Sequence, residues 1–279
     1  MPAALPIFGI ILYPVIYNLY LSLFKVGLGG ISDRKWIGLQ NFKDVLNSKL
    51  FWDILGNTGI WVVGITVFIQ LIALFSAILL NQKIRGRGIY RGMLLLPWVI
   101  PGVVTGILWK YMFDSQFGVV NDILLHLGLI KDYVPWLSQT STSLIAVMIT
   151  FIWKLFPLSM IMILGRLQGI PDEIYEAAAV DGVGPFQLFR YIIMPLLKNV
   201  MTMTTVFMII LSFNSFDLTY IMTGGGPIHS SEIIGMYIYN LGFTHFNIGG
   251  AATTASLVLI MSLGMIFLYV RNQSREKGK

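Results

Sequence analysis

The stretch from Ile54 to Gln82, ILGNTGIWVVGITVFIQLIALFSAILLNQ, decides the fold class. It carries no charged side chain, and about 20 predominantly apolar residues suffice for a helix to cross a hydrocarbon core of roughly 30 Å. The rest of the chain repeats the pattern. Of 279 residues, 56% are hydrophobic and 11% charged, against roughly 45–50% and about 25% in a soluble domain. A mean hydropathy of +0.77 over the whole length excludes a water-soluble protein. Ala3 to Phe24 and Gly249 to Val270 are also free of charge, Leu144 to Leu164 holds only Lys154, and Asn199 to Met222 only Asp217. Between Arg91 and Lys110 lies MLLLPWVIPGVVTGILW, Met93 to Trp109, whose Pro97 and Pro101 a membrane helix tolerates because neighbours re-satisfy the freed carbonyls. No segment alternates in the manner of barrel strands. The expectation is an all-α polytopic membrane protein with about six transmembrane helices.

Orientation follows from Lys and Arg in the connecting loops, which are retained on the cytoplasmic side. The loops after spans two, four and six hold Lys83, Arg85, Arg87, Arg91, Arg166, Arg190, Lys198, Arg271, Arg275, Lys277 and Lys279. The opposite set holds Lys25, Arg34, Lys35, Lys43, Lys49, Lys110 and Lys131, over longer segments. This bias puts both termini in the cytoplasm. The first segment reads as a retained span, since no basic leader and small-residue cleavage site precede and follow it. Without Cys, disulfides, thiolate metal sites and Cys nucleophiles are excluded. The charge of +6 and pI near 9.4 sit at span ends rather than on an aromatic-interleaved patch, so they imply membrane lipid and no nucleic acid.

The loop between spans four and five, RLQGIPDEIYEAAAVDGVGPFQLFRYIIMPLLKN from Arg166 to Asn199, has helical punctuation. Pro171 suits a first helical position, and Asp172 and Glu173 complement the positive end of the dipole. Ala177, Ala178 and Ala179 favour helix and leave a smooth surface, and Gly182 stands where a left-handed cap belongs. Pro185 opens a second helix, and Pro195 is expected to interrupt the pattern before the fifth span. The residues alone leave two readings: an interfacial helix, or a docking element.

The spacing Glu176-Ala177-Ala178, three residues, Gly182, nine residues, Ile192, one residue, Met194 and Pro195 resembles the E-A-A-x3-G-x9-I-x-L-P signature of ABC-importer permeases, departing only at Met194. IPDEIYEAAAVDG, Trp153-Lys154 with Pro157, and FDLTYIMTGGGP from Phe216 to Pro227 look like the carbohydrate branch, of the maltose and glycerol-phosphate type. The resemblance covers nearly the whole chain. It implies a transport subunit, not an enzyme. The loop would form a cytoplasmic coupling helix on a separate ATPase, with Glu176, Ala177, Ala178, Asp181 and Gly182 as coupling residues. It also implies a second homologous permease subunit, an extracytoplasmic solute-binding protein and a sugar substrate. The chain has no phosphate-cradling G-x-x-x-x-G-K-[ST] loop, so ATP and Mg²⁺ are expected on the partner and no cofactor on this chain. The implied division is a first helix with an extracytoplasmic loop (1–53), a transmembrane core (54–271) that contains the loop 166–199, and a cytoplasmic tail (272–279).

Charges inside spans usually face a cavity or a partner. Lys154 and Asp217 are either a structural ion pair or, with Trp153, Asn214 and Ser215, the border of a sugar path, where rings stack and amides bond hydroxyls. Gly224-Gly225-Gly226-Pro227 reads as a tight, flexible outer turn that either reverses the chain or also receives the binding protein. His126, His229 and His245 show no metal-ligand spacing, and no catalytic residue is expected. Competing readings are a stand-alone secondary transporter or channel, an importer of another solute such as glycerol phosphate, or a membrane component of a signalling complex. A secondary transporter would predict broken helices at mid-membrane, and none is evident in the sequence.

Overall fold

A computed structural model describes residues 7–26, 33–82 and 85–277, with side chains described through residue 264 except at 7, 8 and 11. Lys83, Lys279 and the first residues of the expected first span lie outside the described residues, as do the side chains of Arg271, Arg275 and Lys277. A π-helical turn, Ile7–Leu12, leads into α1 (Tyr13–Leu21), then strands β1 (Phe24–Val26) and β2 (Arg34–Trp36) and helix α2 (Gln40–Asn47). The long α3 (Lys49–Asn81) is followed by α4 (Arg87–Val99), α5 (Gly102–Met112), α6 (Val119–His126) and α7 (Ser143–Gln168). Then come α8 (Asp172–Val180), α9 (Pro185–Asn214), α10 (Asp217–Met222), α11 (Ile234–Tyr239) and α12 (Ile248–Lys277). The described chain groups into two units, residues 1–55 with 234–279, and residues 56–233.

In the first unit α12 packs on α1. Between apolar helices in lipid the association rests on close packing and hydrogen bonds rather than on expulsion of water. Small buried residues of α12, among them Ala252, Thr253 and Ser256, supply the first. Asn18 supplies the second, its amide donating to Ala252 O and Ser256 Oγ, both at 3.1 Å. The antiparallel β1–β2 pair sets Lys25 opposite Lys35. It is tied to α2 by buried Asn41, which donates to Ser22 O at 2.8 Å and Phe24 O at 2.9 Å.

In the second unit α7 is the hub, packed against α4, α5, α9 and α10. Its buried residues run nearly the full length, from Ser143 to Leu167. On α3, Trp61, Ile65, Ile69, Ala73 and Ala77 form a fully buried ladder at four-residue spacing, while Ile60, Val63, Val67, Leu71 and Phe75 are exposed. Both stripes are apolar, as expected of a helix with protein on one side and lipid on the other. Hydrogen bonds at two places fix α3 on α9. Gln70 donates to Thr204 Oγ1 at 2.9 Å, and the Trp61 indole N–H donates to Ser212 O at 3.1 Å. Because α9 stops at Asn214, Ser212 O is one of the last carbonyls of a helix and has no intrahelical donor; Trp61 caps it from the side.

Among the described residues three single helices, α3, α7 and α9, are long and apolar enough to cross a membrane, and α4 with α5 makes a fourth span if the bent pair counts as one. The expected first and sixth spans are helical over Ile7–Leu21 and Ile248–Lys277. Two boundaries differ from the sequence expectation. The third span is broken by 98° between α4 and α5, since Ile100, preceding a proline, is extended at ψ 130° and Pro101 at ψ 144°. The fifth covers Pro185–Asn214 rather than Asn199 to Met222, because Ser215 is extended and α10 restarts at Asp217. Pro195 does not interrupt that helix. A π-helical turn at Leu188–Ile193 precedes it, and such a turn adjusts the ladder where a proline lacks its donor.

Candidate functional site

Helix α8 starts one residue later than its sequence suggests and otherwise follows the expected punctuation. Pro171 stands at the N-cap, Asp172 and Glu173 lie in the first turn, and Gly182 closes the C-terminus at φ +71°. Gly182 N–H donates to Ala179 O at 3.1 Å and Val183 N–H to Ala178 O at 3.0 Å. This is the paired 5→2 and 6→1 pattern of a Schellman cap. The next helix starts at once, Gly184 N–H donating to Gln187 Oε1 at 3.2 Å. Arg166 Nε donates to Leu196 O at 3.2 Å, clasping the two ends of the loop. Glu176, Ala177, Asp181 and Gly182 are exposed, whereas Ala178 is turned inward and buried. Val180 is 88% exposed, and Phe186 and Tyr191 stand out beside it in the chain at 76% and 72%. Burial, and secondarily the Asp172 carboxylate, push the Tyr175 hydroxyl above the ordinary tyrosine range, so it stays neutral at physiological pH.

A Cβ at Gly182 would touch nothing within 4 Å, so substitution there tests the backbone alone. Gly182→Val is expected to lose about 1–2 kcal/mol, the cost of forcing an L-residue left-handed, with the last turn of α8 frayed. Thermal melting of the detergent-extracted protein measures it; a valine variant as stable as the parent would mean that the cap does not hold this turn.

The in-span charges meet at the break between α4 and α5. Lys154, near the middle of α7, donates its ammonium to the carbonyl of Ile100. Asp217, the first residue of α10, lies against Gly102, the first of α5. A Cβ there would overlap Asp217 Oδ2 and stand 3.7 Å from its Cγ. Ser215 Oγ donates to Asp217 Oδ1 at 3.1 Å. Among the described residues Lys154 and Asp217 close no ion pair with each other. Asn214 is exposed and donates to Ile210 O at 2.8 Å within its own helix. Trp153 lies edge-on to Trp109, the ring centroids 5.5 Å apart. It lines an apolar groove of about 710 Å³ with Phe68, Ile72, Met148 and Phe156.

A polar hollow of about 320 Å³ lies beside the C-terminal ends of α5 and α10, lined by Lys110, Asp114, Ser115, Ser138 and Thr223 among others. The neighbouring glycine run is tethered rather than loose. Thr223 Oγ1 and Ser231 Oγ share a 2.7 Å bond, Ser231 Oγ donates to Gly226 O at 2.7 Å, and Asn57 Nδ2 donates to His229 O at 3.0 Å. His229 Nδ1 also bonds the buried carboxylate of Glu232.

Residues 69–277 match the family model of the binding-protein-dependent transport system inner membrane component. The chain belongs to that family. As an inner-membrane component it is a multi-pass membrane protein, and its relatives are transporter permease subunits. It is 31% identical over 282 residues to the trehalose/maltose transport system permease protein MalF of Thermococcus litoralis, covering 99% of this chain and 93% of that one. It is 35% identical over 279 residues to the lactose transport system permease protein LacF of Rhizobium radiobacter, covering 99% and 92%. Its fold is similar to a chain in the crystal structure of a bacterial alginate ABC transporter in complex with an alginate pentasaccharide-bound periplasmic protein. The TM-score is 0.82 at 20% identity, covering 96% of this chain and 90% of that one.

In this inner-membrane component the fold gathers Lys154, Ser215 and Asp217 around one helix break and leaves Trp153 and Asn214 outside it. Sequence reasoning missed the break, although Pro97, Pro101 and Gly102 in succession were its signal. It also missed the hollow, whose polar groups come from segments more than a hundred residues apart, Lys110 and Thr223 being the extremes. Among the described residues no cluster of three or more His, Asp or Glu is placed to hold a metal.

Proposed function

We propose that this chain is a membrane-spanning permease subunit of an ATP-driven sugar importer, forming half of the translocation pathway and coupled to a separate ATPase through α8. One observation carries the coupling reading: a short capped helix between two long apolar helices leaves Glu176, Ala177, Val180 and Phe186 bare. Exposed apolar side chains on a loop this polar mark an interaction surface. A small-residue helix flanked by an apolar knob and a charge suits insertion into a groove. The partner ATPase carries ATP and Mg²⁺, and its closure moves α8 and rocks the paired permeases between inward and outward openings. Both termini and α8 are then cytoplasmic, and the Gly224–Ile233 loop faces an extracytoplasmic solute-binding protein. The sugar class rests on relatives whose names specify trehalose, maltose and lactose.

Co-expression with a candidate ATPase, second permease and binding protein tests this reading. Proteoliposomes holding the purified assembly are expected to hydrolyse ATP faster with sugar-loaded binding protein outside and to accumulate that sugar. Uptake by this chain alone, driven by an ion gradient without ATP, would replace the reading with a secondary transporter, for which a broken span is also a hallmark.

A further inference from the structure

A helix that breaks inside a bilayer leaves polar groups that lipid cannot satisfy. At the α4–α5 elbow the deficit is specific. Pro97 and Pro101 have no N–H, so the carbonyls four residues before each lose their helical donors. The last carbonyls of α4 and the first N–H groups of α5 have no intrahelical partners either. The two helix ends also carry opposite partial charges, negative where α4 stops and positive where α5 begins.

The two charged residues of the neighbouring helices stand where those ends need them. Lys154 of α7 donates to Ile100 O, at the negative end of α4. Asp217 of α10 lies against Gly102, at the positive end of α5, so close that a Cβ at Gly102 would displace its carboxylate, and Ser215 donates a hydrogen bond to that carboxylate. The packing carries the same arrangement further. Gly106, one turn along α5, lies against Ile221 and Leu218 of α10, where a Cβ would stand 2.9 Å from Ile221 Cγ2. α4 packs along α7, the helix that bears Lys154.

We propose that Lys154 and Asp217 are positioning residues that hold the third span bent, one standing at each of its two helix ends, and that the elbow so fixed shapes the pathway. The Asp217 carboxylate also acts on the Lys154 ammonium through space, without a salt bridge between them. The observed geometry places both at the break. This inference deepens the importer reading by giving the in-span charges a task, and it rests on that reading only for the word pathway.

The chain contains no Cys, so spin labels go where cysteines are introduced. Ile89 of α4 and Tyr111 of α5 are each 65% exposed. At 1.5 Å rise per residue, labels there span about 21 Å across a right-angled elbow and about 33 Å in a straight helix. The full-length double-cysteine protein in lipid nanodiscs is measured by double electron–electron resonance. The short distance is expected for the parent and for Lys154→Arg, which keeps the donor and charge. Lys154→Met and Asp217→Asn are expected to shift or broaden the distribution toward the long one. A parent-like distribution in both of these variants overturns the proposal. Should Lys154→Met fail to accumulate in membranes, the isosteric Asp217→Asn decides alone, unchanged distance counting against. The measurement needs neither sugar nor ATPase, so loss of the importer reading and loss of the elbow clamp are separable outcomes.

Discussion

With lysine in place of Glu176, the assembled transporter is expected to lose roughly 30-fold in uptake, the equivalent of about 2 kcal/mol at an interface hot spot. Glu176 is exposed midway along α8, and the helix is held by its own caps and by buried Ala178. The reversal therefore leaves the fold of this chain intact and changes only what a docking partner meets. Membrane abundance and melting temperature are expected to match the parent, while the ATPase co-purifies weakly and sugar-stimulated hydrolysis falls. Ala177→Trp, which replaces a smooth exposed position with a bulky one, is expected to behave alike. Ala178 is the contrast. It is buried, so its enlargement acts on stability before it acts on docking. Parent-like uptake by the Glu176→Lys assembly would remove α8 from the coupling path.

The second large effect is structural. Trp61→Ala is expected to destabilise the protein by about 3 kcal/mol or more, the range for truncating a buried tryptophan. The side chain is fully buried, lies 5.1 Å from the ring of Phe151 on α7, and caps Ser212 O on α9. Its removal opens a void among three long helices and orphans a carbonyl at a helix end. Trp61→Phe keeps most of the ring but not the N–H, and is expected to lose about 1 kcal/mol, since a single interhelical hydrogen bond in a membrane contributes about that. Thermal unfolding in detergent, followed by near-ultraviolet circular dichroism, separates the two. Equal losses for both variants would mean that the hydrogen bond, not the packing, is what Trp61 supplies.

Features set by neighbours along the chain were legible without the fold. Spans two and four read directly from runs without charge, and α8 read from Pro171, the acidic pair and Gly182, because helix caps depend on residues a few positions apart. The elbow was not legible, although its prolines were in view. Proline in a membrane helix produces anything from a mild kink to a full break, and which one follows depends on whether other helices bring partners to the freed groups. Here Lys154 does, from 54 residues away in the hydrogen bond to Ile100, while Asp217 stands against the other helix end at Gly102, on a helix whose start no pattern marked. Pro195 makes the same point in reverse, its expected interruption being absorbed by a π-helical turn.

By itself the amino-acid order determined that this chain lives in a membrane, builds its spans from helices, and carries an alanine-rich helix between two of them. Hydropathy, charge spacing and capping are properties of segments, and a segment keeps them wherever it packs. Tertiary structure alone decided that α7 is the hub, that Ala178 faces inward while Glu176 and Val180 face out, and that Lys154 and Asp217 stand at the two ends of a broken helix. Those outcomes depend on which helix ends come to lie side by side, and that is settled only when close packing and the satisfaction of buried polar groups are solved for all helices at once.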